Sequence, residues 1–286
     1  MSVNRPLYKT AGFMIKVLRY FQEKQDIKLR FKNTKYYQSL YEENPFFEHK
    51  LGNDLKINLY KDSVLSKIIF DGFEQEELNF VKSILQSGDI FIDIGANVGL
   101  FSLTASHYVG KGGQVIAFEP APTTFNRLLE NRELNNIKNI DARNIGLSDE
   151  LGELLFYISD TGFDAWNSFA PSADNKLQKQ IVVSVSSLDH ELENVDKAKI
   201  KLVKIDVEGW EKYVLKGGEN FFKNFSPIVM VEFTDENTFN AGYSVHEIYD
   251  IMVLYGYEWF TVKEGKLLKE AKGLYYPYNN LIAIKQ

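Results

Sequence analysis

Residues 89–99, Asp-Ile-Phe-Ile-Asp-Ile-Gly-Ala-Asn-Val-Gly, restrict the fold of this chain more than any other stretch. Ile90–Ile94 is a short apolar run of the kind buried on both faces of a parallel sheet. A glycine-bearing turn follows at once, and Leu100–Tyr108 behind it reads as a helix. A strand that feeds a helix in this way must return over its own sheet before the next parallel strand can pair.

The same rhythm continues downstream. Gln114–Phe118, Asn139–Leu147, Glu153–Ile158, Ile181–Val185, Ile200–Ile205 and Ile228–Phe233 read as strands. Helices are expected over Thr123–Leu134, Glu211–Phe222 and Val245–Tyr255, with a further one beginning near Ser187. Glu258–Val262 and Leu281–Ile284 close the chain as two strands with only a loop between them, which predicts an antiparallel pair at one edge. Upstream, Leu55–Tyr60 alternates like a half-buried strand, and Asp71-Gly72 turns into a helix over Phe73–Leu85. The predicted architecture is a doubly wound α/β fold with a mostly parallel seven-stranded sheet and an antiparallel C-terminal hairpin. Residues 1–50 are expected to form a basic helical and β-hairpin extension, and residues 51–286 the main domain.

Charge narrows the function. Residues 1–41 hold nine Lys and Arg against Glu23 and Asp26, an excess of seven positive charges; the formal net charge of −6 therefore leaves the rest at −13. An acidic body argues against a nucleic-acid reader, which needs a basic footprint on its main face. No run reaches the eighteen or more apolar residues of a membrane span, and the start lacks a cleavable secretory pattern, so a cytoplasmic protein is expected. Ala11–Phe21 mixes basic and large apolar residues. Such a helix can lie on an anionic membrane, but packing against the protein body is the favoured reading. The chain has no cysteine, which excludes disulfides and thiolate chemistry.

The turn after the first parallel strand carries the chemistry. Ligands of open α/β sheets sit beyond the carboxyl ends of the strands. Gly95 and Gly99 are spaced G-x-x-x-G, and Asn97 stands where a dinucleotide fingerprint needs its second glycine. A pyrophosphate wants bare amides at a helix N-terminus. Here a carboxylate, Asp93, lies beside the glycines, and Asn97 can donate and accept. That set suits a phosphate-free nucleoside bearing positive charge, of which S-adenosylmethionine is the expected example. Glu119 ends the second strand and can accept both ribose hydroxyls, although strand-end acids also cap helices.

Three blocks, Asp93–Gly99, Ala117-Phe-Glu-Pro120 and Lys204-Ile-Asp-Val-Glu-Gly-Trp-Glu211, make the chain resemble the FkbM methyltransferase family, with support from Gly72-Phe-Glu74 and Leu215-Lys-Gly-Gly218. The resemblance spans about residues 55–235 and implies a class I methyltransferase fold, with S-adenosylmethionine as methyl donor. It implies that Asp93, Gly95, Asn97, Gly99 and Glu119 line the donor pocket, that Asn144 lies near the adenine, and that Asp206 faces the methyl group and the acceptor. Family members mostly methylate oxygen, often on sugars or polyketide-type hydroxyls, so the implied partner is a small molecule or a glycan.

An alcohol is a poor nucleophile, so a base near the methyl group is useful. Asp206 is favoured as the group nearest the methyl, Glu208 as a candidate base, and Glu232 at the next strand end as a third candidate. Glu208 and Glu211 can instead serve the N-terminus of the following helix, and for Glu211 that reading is favoured. A divalent ion on Asp206, Glu232 and water would also activate a hydroxyl, but the spacing does not compel it and no metal centre is expected. His49, His107, His190 and His246 show no ligand spacing. Phe163, Trp166 and Phe169 in the polar interruption at 160–180 can stack on an acceptor or equally anchor that loop to the body, and Tyr243, Tyr275, Tyr276 and Tyr278 are further candidates for acceptor contact. The competing readings are a nicotinamide-dependent oxidoreductase, disfavoured by the missing fingerprint, and a non-catalytic binding module, disfavoured because the pocket carboxylates are all present.

Overall fold

The computed structural model describes residues 34–159, 167–171 and 178–285. The basic stretch 11–21, Phe163 and Trp166 lie outside them. The chain divides into two units, Met1–Phe47 and Glu48–Gln286. In the first, α1 (Thr34–Ser39) carries Tyr37, whose ring meets that of Tyr41 edge-on at 5.2 Å.

The larger unit holds most of the strand β1 (Phe46–Gly52) and all of β2 (Leu55–Tyr60), which form a two-stranded sheet. After α2 (Val64–Phe70) and α3 (Gln75–Ile84), the main alternation begins: β3 (Ile90–Ile94), α4 (Leu100–Val109), β4 (Gln114–Phe118), α5 (Pro122–Leu134) and β5 (Ile140–Arg143). Pro at the first position of α5 supplies the helical φ without wasting a donor. Two asparagines of α5 face β2: Asn131 accepts from the Asn58 N–H at 2.7 Å, and Asn135 brackets Lys56 by its N–H and its carbonyl. Asn131 also donates to the Val98 carbonyl at 2.9 Å, so one buried amide ties β2 to the glycine turn.

The predicted strand over Asn139–Leu147 is broken. Asn144 and Ile145 separate β5 from β6 (Gly146–Leu147), which leaves the main sheet and pairs parallel with β8 (Gln178–Ser186). With β7 (Gly152–Ser159) antiparallel to β8, these strands make a separate three-stranded sheet. Ser187 caps the short α6 (Leu188–Glu191), and β9 (Ile200–Ile205) returns to the main sheet. The predicted helix over Glu211–Phe222 is two helices, α7 (Glu211–Gly217) and α8 (Glu219–Asn224), parted at Gly218. The chain continues through β10 (Ile228–Phe233), α9 (Asp235–Asn240), α10 (His246–Leu254), β11 (Tyr257–Lys263), β12 (Lys266–Lys269) and β13 (Asn279–Lys285).

The main sheet has the order β12-β11-β13-β10-β9-β3-β4-β5. Pairs β10–β9, β9–β3, β3–β4 and β4–β5 are parallel, whereas β13 is antiparallel to both β10 and β11. One reversed strand inserted next to last in a doubly wound sheet is the class I methyltransferase arrangement. The expected antiparallel pair of β11 and β13 is present towards this end of the sheet: α9 and α10 carry the chain one position beyond β10, and β13 fills the gap. β12 adds an eighth strand outside β11. Phe91, Phe118 and Phe233 are fully buried between the layers, each worth about 1.5–3 kcal/mol relative to exposure.

Candidate active site

β3, β4 and β9 end side by side, and their ends form one wall of a cavity. Asp93 pairs across β3–β9 with Lys204, and Ile94 pairs with Phe118 on the other side. The turn after β3 is pinned from both neighbours. The N–H groups of Gly95 and Ala96 both donate to the Phe118 carbonyl at 3.0 Å, and the Asp206 N–H donates to Ile94 O at 3.0 Å. Gly95 has φ +82°, and a Cβ there would lie 1.8 Å from the Asp206 carbonyl oxygen. Only glycine combines that conformation with so close an approach. The glycine turn and the fourth-strand block, 111 residues apart by their numbers 95 and 206, are therefore one packing unit.

Asp93 is buried, and its Oδ2 accepts from Ser102 Oγ at 2.6 Å. Its Oδ1 is buried without a partner at the cavity wall. Burial pushes the Asp93 carboxyl up, while Lys204 and the Ser102 hydroxyl draw it back. Glu119 Oε1 accepts from the Ala121 N–H and Oε2 from the Asn97 N–H, both at 2.9 Å. These bonds fix the carboxylate against the turn, and two-lone-pair oxygens retain capacity for further donors. Asn97 sits at φ +49°, its Oδ1 accepting from the Val98 N–H at 2.8 Å. Asp93, Gly95, Asn97 and Glu119 line one cavity with Asp206 and Glu208. Gly99 lies behind this wall as the N-cap of α4, in contact range of Leu128.

Two further expected residues are placed off the wall. Asn144 is not a wall residue: its amide donates to the carbonyls of Glu119 and Pro120 at 2.8 and 3.1 Å, bracing the segment that carries Glu119. Glu232 lies behind the wall, buried, with Oε1 accepting from Thr234 Oγ1 at 2.7 Å. Burial first, and then Glu208, Asp206 and Glu211, push its carboxyl well above the usual range. Glu208, at φ +53°, accepts from Asn237 Nδ2 at 2.6 Å, and burial and Asp206 raise it likewise. The next residue, Gly209, runs so close to the Asn237 carbonyl that a Cβ would stand 2.5 Å from its oxygen. Glu211 serves its own loop, accepting the N–H groups of Val207 and Gly209 at 3.1 Å each, with burial lifting it to about 7.

The site contains groups to which no role was assigned from sequence. Lys204 Nζ lies 2.7 Å from Asp206 Oδ2 and 4.6 Å from the centre of the Phe101 ring. Burial works against its charge, but Asp206, Glu74 and Asp93 outweigh it and hold the ammonium charged. Glu74, in left-handed conformation at the start of α3, reaches the same cavity. It accepts from the Tyr278 hydroxyl and, at 3.0 Å, from Asn280 Nδ2. Burial, then proximity to Asp206, lifts its carboxyl to about 7 against the pull of Lys204. Of the tyrosine candidates Tyr278 lines the cavity, whereas Tyr243 is buried against Glu211, Tyr276 packs on Phe233, and Tyr275 is exposed. Phe169 lines it beside Gly146. Gly72-Phe-Glu74 was the available signal for Glu74; nothing in the local sequence tied Tyr278 and Asn280 to it.

The donor set tests well against a cationic nucleoside. An orphaned buried carboxylate oxygen on Asp93, a backbone cradle at Gly95 that admits no side chain, and an acid fixed at the end of β4 are all on one wall. The Methyltransferase FkbM domain family matches residues 93–259, more than half of the chain, including Asp93, Gly95, Asn97, Glu119, Asp206 and Glu208. The chain belongs to the FkbM methyltransferase family. S-adenosylmethionine is the cofactor of this FkbM family. Among relatives, the chain is similar to Methyltransferase 1 of Beauveria bassiana, 32% identical over 160 residues that make up 50% of this chain and 64% of that protein. It is also similar to the hexuronic acid methyltransferase AglP of Haloferax volcanii, 28% identical over 159 residues, 55% of this chain and 61% of that one. The chain thus spans less than two thirds of the length of these FkbM-like relatives. The crystal structure of methyltransferase FkbM from Methylobacillus flagellatus aligns with a TM-score of 0.45 at 14% identity, over 88% of this chain and 59% of that one.

Proposed function

We propose that this chain transfers a methyl group from S-adenosylmethionine to a hydroxyl of a small molecule or glycan. The observation that carries the reading is the shared wall: the Asp93–Asn97 turn, Glu119 and Asp206 face one cavity although they come from three strands. When bound, the donor supplies an electrophilic methyl on a sulfonium. Asp93 and the Gly95 backbone would hold the amino-acid end and Glu119 the ribose, with Asn97 and Gly99 shaping the turn and Asn144 bracing Glu119. Asp206 would stand nearest the reacting atoms, held by Lys204. Holding the reactants in line supplies a large share of the acceleration in such displacements.

Three buried or half-buried carboxyls, Glu74, Glu208 and Glu232, are raised by their surroundings, the condition that suits an acid–base group to neutral pH. Of these Glu74 and Glu208 line the cavity, and Glu208, two residues from Asp206, is the proposed base; Glu232 lies behind the wall. A sugar-type acceptor is supported by the hexuronic acid methyltransferase among the relatives and by aromatic Phe169 and Tyr278 on the cavity wall. The test is transfer of labelled methyl from S-adenosylmethionine into a cell extract, with identification of the labelled product. Label in the methyl of a new methyl ether supports the reading; label only in methyl esters or on nitrogen, or absence of both donor binding and transfer, overturns it.

A further inference from the structure

Methyl transfer to a hydroxyl does not by itself require three carboxylates in one cluster, yet the ends of β9 and β10 carry one. Asp206, Glu208 and Glu232 each bring an oxygen to within 4.8 Å of the other two. One oxygen of each is held by the chain: Asp206 by Lys204 at 2.7 Å, Glu208 by Asn237 at 2.6 Å, and Glu232 by Thr234 at 2.7 Å. Glu232 is 2% exposed, and its Oε2 is buried with no partner. A buried acceptor left without a donor costs about 1–3 kcal/mol, and more when charged.

Positive charge is scarce here. Among the described residues Lys204 is the only basic one on the cavity wall, and it already faces Asp206, Glu74 and Asp93. An all-oxygen donor set selects a hard cation over zinc or copper. Oxygens on opposite sides of a calcium ion stand about 4.6–5.2 Å apart, and of magnesium about 4.0–4.2 Å. Separations of no more than 4.8 Å place the three oxygens within the span of such a coordination shell.

We propose that Asp206, Glu208 and Glu232 form a binding site for a divalent cation of the magnesium, manganese or calcium class. Asp206 and Glu208 line the cavity and Glu232 stands behind it, so the ion lies at the cavity wall with open positions toward the acceptor. On the reading proposed above, those positions take an acceptor oxygen and orient it, with Glu208 then a ligand of the ion in place of a free base.

The test uses the full chain, stripped with a chelator and titrated with manganese(II) chloride, with free manganese followed by electron paramagnetic resonance. One saturable site per chain is expected, competed by calcium or magnesium. Glu232→Gln, a shape-conserving change, weakens it by about tenfold or more. Glu208→Gln does the same if the first variant fails to fold by circular dichroism. No saturable uptake by about 1 mM overturns the proposal. So does binding unchanged in folded Glu232→Gln, or displacement of manganese by S-adenosylmethionine, which would make the cluster the counter-charge of the methyl donor. Donor binding is measured by calorimetry on the same samples: manganese uptake without donor binding defeats the proposed methyl transfer alone, and the converse defeats the metal site alone.

Discussion

Lys204 on β9 and Asp206, the first residue beyond its end, stand two residues apart, and the Lys204 ammonium lies 2.7 Å from Asp206 Oδ2 with only 4% of the lysine side chain exposed. A buried cation in this position organises the site, since Glu74 reaches it from α3 and Asp93 from β3. Removing one partner of a buried ion pair strands the others without charge compensation. Lys204→Met is therefore expected to lose about 3–5 kcal/mol of stability, read from urea unfolding at neutral pH. A loss under about 1 kcal/mol would mean that the carboxyls around it are already neutral.

Asp93 presents an unpartnered oxygen to the cavity. Asp93→Ala is expected to weaken S-adenosylmethionine about 10–100-fold, the worth of one or two hydrogen bonds to a charged group. Isothermal calorimetry checks it; unchanged affinity would remove Asp93 from the donor site.

Gly95 allows the turn to run against the Asp206 carbonyl. A methyl group there meets backbone rather than a side chain that can swing away. Gly95→Ala should cost about 2–3 kcal/mol from the clash and the left-handed φ together, seen as a fall in Tm, and should abolish donor binding.

Asp206→Asn keeps the shape and removes the charge next to the cavity. Its expected signature is a fall in kcat of about 100-fold or more with donor Kd changed by less than about threefold. Equal losses in both would make Asp206 a donor-binding group only.

The Glu74 carboxyl is raised from its ordinary range to about 7, first by burial. The folded state then holds a proton that the unfolded chain releases between the ordinary carboxylate range and pH 7, so this contribution to stability is present at low pH and is lost as pH rises through that window. The cofactor-free protein should therefore lose Tm between pH 5 and pH 8. Glu74→Gln should be spared about 2–4 °C of that loss, equivalent to about 1 kcal/mol. Melting followed by circular dichroism across this range decides it, and identical slopes would dismiss Glu74 as a contributor.

The alternation of apolar runs and helices, the G-x-x-x-G turn and the acids at strand ends were legible because they are local. Periodicity over five to ten residues sets whether a segment becomes strand or helix, and a strand end is where an α/β sheet exposes side chains. That reasoning brought Asp93, Gly95, Asn97, Glu119 and Asp206 to one cavity. What the chain's order could not decide is which distant segments share a position in space. The insertion of β13 between β10 and β11 depends on packing between separate segments, and the bonds from Tyr278 and Asn280 to Glu74 on packing across about 200 residues. So does Asn144, whose amide turned to two carbonyls that needed a donor more than the cavity did. Burial then set the charges: the same glutamate codon reads as an ordinary acid in sequence, and only the loss of water around Glu208 and Glu232 made their carboxyls hard to ionise.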